Sequence, residues 1–222
     1  MTPRSPHDTG PDDVGARTRD LEGPRVVLAS ASPRRRELLE MLRLSIDIRP
    51  AHVDESARDG EAPEALAERL ARDKATAVAR DAADALVIGS DTIVVVDDEV
   101  LGKPTGETDA VAMLLRLSGR SHRVLTGIAV VAPDGRVESS TVDVEVVFRA
   151  FDEDLAAAYV ATGEPLDKAG AYGIQGLGSA LVERIDGDFF AVMGLPIHRL
   201  LAHLEALGWC YRFHGLSPCE PS

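Results

Sequence analysis

The chain has no asparagine, a single glutamine and only three lysines among its 222 residues. Arginine supplies the other 21 cations, so it serves wherever a generic positive charge suffices. Lys74, Lys103 and Lys168 then mark places that need a compact ammonium, with chance retention as the competing reading. No run of eighteen apolar residues occurs, so no membrane-spanning helix and no membrane partner are expected. Basic residues are not in excess. The net charge is −13, which argues against duplex DNA or RNA as a partner. A polyanionic small molecule stays open, provided that the cations converge locally. The two cysteines, Cys210 and Cys219, lack a CxxC partner and zinc-type histidine spacing. They read as two unrelated thiols, compatible with a reducing, cytoplasmic setting. The GxxxxGK(S/T) phosphate loop and the dinucleotide glycine fingerprint are both missing, and no internal repeat is visible.

What is present fits a packed globular protein, with 45% hydrophobic and 27% charged residues. The length suits one domain of ordinary size, or one domain with two lobes. Residues 1–24 are polar and rich in Pro, Gly, Asp and Arg, without the apolar core of a signal peptide. They read as a disordered leader. Residues 25–208 hold the periodic segments, and 209–222 read as a loose tail.

The first apolar run, Val26 to Ala29, reads as a buried strand. Ser32 then caps a helix, with Pro33 in its first turn and Leu38, Leu39 and Leu42 at helical spacing. A second strand is predicted at Ser45 to Arg49, and a long helix from Pro63 to about Ala83. Leu86 to Ile88 and Ile93 to Val96 read as strand, interrupted by Ser90-Asp91. Thr108 opens a helix to Leu117. Val124–Val131 and Val137–Phe148 flank Pro133-Asp134-Gly135 as a hairpin. Asp152 starts another helix, ended by Gly163. Ala180–Ile185 and Phe189–Val192 suggest a second hairpin, and Pro196 opens a last helix to Leu207. Helices alternate with strands early and hairpins follow, so the expected fold class is α/β, with a mixed sheet flanked by helices.

Four segments carry chemistry. Ser30-Ala31-Ser32-Pro33-Arg34-Arg35-Arg36 puts two hydroxyls and three guanidiniums on a helix N-terminus, where free N–H groups suit phosphate. A plain capped helix with a basic solvated face would look the same. Asp91, in Gly89-Ser90-Asp91-Thr92, needs a partner or a task inside an apolar strand. It either closes a local turn, or holds a cation and activates water. Leu101-Gly102-Lys103-Pro104 is the third segment. The fourth is the stretch from Gly163 to Gly178, where the glycines point to close ligand approach or to tight turns. It holds Lys168 and Gln175, whose amide can answer a pyrimidine edge or satisfy backbone groups.

Taken in order, Leu28-Ala29-Ser30-Ala31-Ser32-Pro33-Arg34-Arg35, Val53-Asp54-Glu55, Lys74, Gly89-Ser90-Asp91-Thr92, Leu101-Gly102-Lys103-Pro104 and Asp167 to Gly178 resemble the Maf family of nucleoside triphosphate pyrophosphatases. The resemblance runs from about Arg25 to Leu207. It implies an elongated α/β fold of the Maf or ITPase-like kind, with a twisted mixed sheet and a central cleft between two lobes, in a cytoplasmic homodimer. It implies Asp91, Glu55 and Lys103 as catalytic residues, with Glu55 and Asp91 holding a divalent metal, Mg2+ or alternatively Mn2+. Ser30, Ser32, Arg34, Arg35, Lys74, Thr92, Lys168 and Gln175 would bind substrate. Positions 34, 92 and 175 are associated with substrate choice in the family. Arg, Thr and Gln there resemble the subgroup that prefers dTTP and UTP, rather than the one that takes 7-methyl-GTP. A purine or modified-nucleotide pyrophosphatase, and a nucleotide-binding regulator of septum formation, are the alternatives.

Overall fold

The structure is a computed structural model that describes residues 23–220. Almost all of the expected leader therefore lies outside the described residues. A seven-stranded mixed sheet runs through the molecule. Strand β1 (Arg25–Leu28) pairs in parallel with β2 (Ile46–Ile48) and with β3 (Ala85–Val96). On its other edge β3 pairs antiparallel with β5 (Ser121–Val131), which continues into β6 (Val137–Phe148) and β7 (Val182–Asp186). Short β4 (Glu99–Leu101) folds back on the end of β3. Helices α1 (Pro33–Met41), α2 (Pro63–Ala79), α3 (Glu107–Leu117), α4 (Glu153–Val160), α5 (Phe189–Met193) and α6 (Ile197–Ala206) flank it. The expected α/β architecture with a mixed sheet is thus what the chain adopts.

Strand β3 divides the molecule. Alternate residues of a strand face opposite sides. On one side, Leu86 and Ile88 join Leu28, Leu39, Leu200 and Leu204 in one core, while Val94 and Val96 join Leu114, Phe148 and Val160 in a second. Between the two cores this face carries Ser90 and Thr92. The opposite face carries Val87, Gly89, Asp91, Ile93 and Val95, and α2 lies across it. At two points the helix seats on the sheet without an intervening side chain. A Cβ on Gly89 would stand 2.2 Å from the Ala71 carbonyl oxygen, and one on Gly127 of β5 would stand 2.0 Å from that of Ala67. Glycine is required at both positions by close backbone approach.

Several expectations are corrected. Strand β3 is continuous through Ser90-Asp91, because β5 pairs with it without a break from Val87 to Val95 and both polar side chains find partners. Phe189–Val192 is helix α5, not a strand. Asp188 accepts a hydrogen bond from Phe190 N–H and caps it, and Gly194 ends it at φ +108°. A short apolar run cannot be assigned by periodicity alone. Helix α2 stops at Ala79. The cysteines are not unrelated thiols: Cys210 and Cys219 form a disulfide. They close a hairpin of β8 (Trp209–Tyr211) and β9 (Leu216–Pro218), in place of a loose end. This hairpin packs on the first core through buried Leu216, with the Tyr211 hydroxyl donating to the Leu42 carbonyl at 3.0 Å.

Candidate active site

The gap between the two cores opens as a cavity of about 710 Å³. Ser30, Ser32, Arg34, Arg35, Glu55, Lys74, Asp91, Thr92, Lys103 and Lys168 all line it, so cations from distant parts of the chain do converge. Gln175 does not line it; this residue is exposed, just outside the wall formed by Tyr172, Gly173 and Ile174.

Each side chain is held for a local reason. Ser32 caps α1, its hydroxyl accepting from Arg35 N–H at 3.5 Å. Pro33 has no N–H and Arg36 N–H goes to the Ser32 carbonyl, which leaves the Arg34 N–H of the first turn. The Arg35 guanidinium is fixed by three acceptors: the Gly194 carbonyl at 2.9 Å, Ser30 Oγ at 3.0 Å and Thr92 Oγ1 at 3.3 Å. Thr92 in turn bonds Thr126 across the β3–β5 pair at 3.0 Å, and Thr126 donates to the Ala191 carbonyl at 2.8 Å. Removal from water pulls the Arg35 pKa below its ordinary value, with Asp91 opposing the shift. A guanidinium held this way is already oriented for an anion.

On the α2 side, Lys74 is nearly buried at 8% exposure. Its Nζ lies 2.5 Å from Asp91 Oδ1 and 2.6 Å from Glu55 Oε1. Asp91 is equally buried at 8%, whereas Glu55 is exposed. The hydrogen bond from Lys74 holds the Glu55 carboxyl below its ordinary pKa, with smaller help from Lys103 and Arg35. Asp91 Oδ2 has no hydrogen-bond partner among the described residues. Lys103 stands exposed at the cavity margin, without an ion pair or hydrogen bond among those residues. Lys168 is tied to Asp167 Oδ1 at 2.6 Å and to the Glu164 carbonyl.

The arrangement offers fixed cations for a polyanion and a carboxylate oxygen free to take a proton. No group of three or more His, Cys, Asp or Glu gathers around a single metal point among the described residues. Two carboxylates, Glu55 and Asp91, do gather around one ammonium. Sequence reasoning missed Thr126 and the Gly194 carbonyl. Neither has a chemical signature in the chain; only the cross-strand register and the turn after α5 bring them to Arg35 and Thr92.

The family model described as Maf-like protein matches residues 25–207. A curated dTTP/UTP pyrophosphatase from Moorella thermoacetica is 55% identical over 185 residues, covering 83% of this chain and 95% of its own length. One of the same name from Geobacillus sp. (strain WCH70) is 47% identical over 188 residues, covering 83% of this chain and 99% of its own length. The chain belongs to the Maf family.

Proposed function

We propose that the chain hydrolyses nucleoside triphosphates, preferably dTTP and UTP, to the nucleoside monophosphate and pyrophosphate. The observation that carries this reading is the meeting of Arg35, Lys74 and Lys103 with Glu55 and Asp91 in one cavity between the two cores. The names of the relatives, dTTP/UTP pyrophosphatase, point the same way.

In this reading Ser30, Arg34, Arg35 and Lys103 take the triphosphate. Asp91 Oδ2 receives a proton from water as the water oxygen bonds to the α-phosphorus. The bond from that phosphorus to the bridging oxygen breaks, and pyrophosphate leaves with the electron pair. The cations stabilise the charge that builds on the leaving group; one well-aimed donor of this kind is worth about 3 kcal/mol. Glu55 and Asp91 would hold a divalent metal. The fit is chemical: both are hard oxygen donors already drawn to one positive charge, and magnesium takes one or two carboxylates and completes its shell with phosphates and water. When bound, magnesium or manganese neutralises phosphate charge and polarises the phosphoryl oxygens.

The setting belongs to the same proposal: free nucleotides as substrate, a cytoplasmic location and a homodimer. No helix among the described residues is long and apolar enough to cross a membrane. The Cys210–Cys219 bond is the one feature that sits uneasily with a reducing compartment. A panel of nucleoside triphosphates with magnesium, assayed separately for pyrophosphate and orthophosphate, tests the reaction. Pyrophosphate from dTTP and UTP ahead of purine and 7-methylguanosine triphosphates is expected. Orthophosphate as the sole product would overturn it. Light scattering at micromolar concentration tests the dimer.

A further inference from the structure

The glycine-rich stretch beyond Gly163 is gripped by two side chains that the reaction above does not use. Glu164 opens a short 3₁₀ turn, Glu164–Asp167. Its Oε1 accepts from the Tyr159 hydroxyl at 2.8 Å and from Gly178 N–H at 3.0 Å. Its Oε2 accepts from Leu177 N–H at 2.9 Å. The Tyr159 oxygen accepts in its turn from Gly173 N–H at 3.1 Å. The Glu164 carbonyl takes the Lys168 ammonium.

The glycines mark where the grip is tightest. A Cβ on Gly176 would stand 2.7 Å from Glu164 Oε2, and one on Gly178 would stand 2.4 Å from the Tyr159 hydroxyl oxygen. Tyr159 is itself embedded in the second core. A carboxylate that takes two backbone N–H groups and a phenol holds its loop in one place. The segment held this way includes a wall of the cavity. Lys168, Tyr172, Gly173 and Ile174 all line it, and their fastenings lie at Gly173, Leu177, Gly178 and Lys168. This wall is mostly apolar surface and backbone. Its Tyr172, Gly173 and Ile174 offer no charge to a phosphate, so they suit the nucleobase.

We propose that Glu164 and Tyr159 act as a positioning pair, which fixes the nucleobase-facing wall of the cavity and thereby sets the preference for pyrimidine over purine triphosphates. The inference rests on the functional reading above, and it adds residues that contact no reacting atom.

Two variants test it. Glu164→Gln keeps the size but turns an NH2 toward a backbone N–H. Tyr159→Phe keeps the ring in the core and deletes both hydrogen bonds of the hydroxyl, so it serves if the first variant fails to fold. Two readouts are needed: amide hydrogen exchange over residues 172–178, and kcat and KM for UTP and GTP with magnesium. Exchange should quicken about tenfold. The KM for UTP should rise about tenfold, with a smaller change in kcat and a lower UTP-to-GTP ratio of kcat/KM. A merely structural role would lower the active fraction, and so kcat alone and equally for both substrates. That outcome, or wild-type KM and ratio in folded variants, overturns the proposal. Failure of the wild-type enzyme to hydrolyse UTP would overturn the functional reading instead, and exchange would still decide whether the pair holds the loop.

Discussion

The Lys74 ammonium lies 2.5 Å from Oδ1 of Asp91 and leaves Oδ2 without a partner among the described residues. One oxygen anchors the carboxylate; the other is left open and oriented. Replacing Asp91 with Asn keeps the shape and removes the base, while Lys74 retains Glu55. Asp91→Asn should therefore fold normally and lose turnover by about a hundred- to ten-thousandfold. Pyrophosphate release, read against an unchanged circular dichroism spectrum, checks it. Undiminished release would refute the role of Asp91 as base.

Much of this site was legible in the chain. An Asp inside an apolar strand announces a partner, and that partner is one of only three lysines. The cap at Ser32 read correctly, because capping is local chemistry; of the three arginines after it, Arg34 and Arg35 line the cavity while Arg36 pairs with Glu40 on the exposed side. What stayed hidden depends on distant contacts. Thr126 joins the site only because β5 pairs in register with β3 at Thr92. Helix α5 was hidden because five apolar residues carry no usable period, and a single capping Asp188 decides their state. The Cys210–Cys219 bond was hidden because two cysteines without a motif give no geometry, and the turn that joins them lies in a polar stretch.

The seat of α2 makes a sharp test of backbone geometry. Gly89→Ala would put a methyl group 2.2 Å from the Ala71 carbonyl and 2.7 Å from Ala75 N, both backbone atoms that cannot swing aside. The expected cost is about 3 kcal/mol, at the upper end for overpacking. Thermal unfolding should fall by about 6–12 °C. Activity of the folded fraction should drop at least about tenfold, because Lys74 rides on the displaced helix. An unchanged melting temperature would show that the helix can yield.

The C-terminal hairpin lies outside the family match, which ends at residue 207. Its disulfide spans a sequence separation of nine. Closing a loop of that size stabilises by about 2–3 kcal/mol in the chain-entropy picture. Reduction, or Cys210→Ser, should lower the melting temperature by about 5–10 °C. Turnover at 25 °C should stay as it was, since neither cysteine lines the cavity. Calorimetry with and without reductant, alongside a pyrophosphate assay, separates the two effects.

His122 gives a pH signature. It is 3% exposed, its Nε2 lies 2.8 Å from the Tyr172 hydroxyl, and its Nδ1 is buried without a partner. Burial pulls its pKa from 6.5 down to about 4. Between those values the unfolded chain binds a proton that the folded one refuses. Stability therefore rises with pH across this window, and falls by about 3 kcal/mol as pH drops from about 6.5 to about 4. His122→Gln should flatten that slope. Denaturant melts at half-unit pH steps would reveal it, and identical slopes would remove His122 as the cause.

Glycines at 89 and 127 let a helix rest backbone to backbone on the sheet, and Lys74 is delivered from that helix to Asp91. One jaw of the cleft is thus rigid by subtraction, set by two methyl groups that are not there. The opposite jaw hangs on side-chain hydrogen bonds, which substitution can retune one at a time. Substitutions on the hanging side should therefore move the cavity wall by degrees, whereas the seat of the helix should refuse even a methyl group.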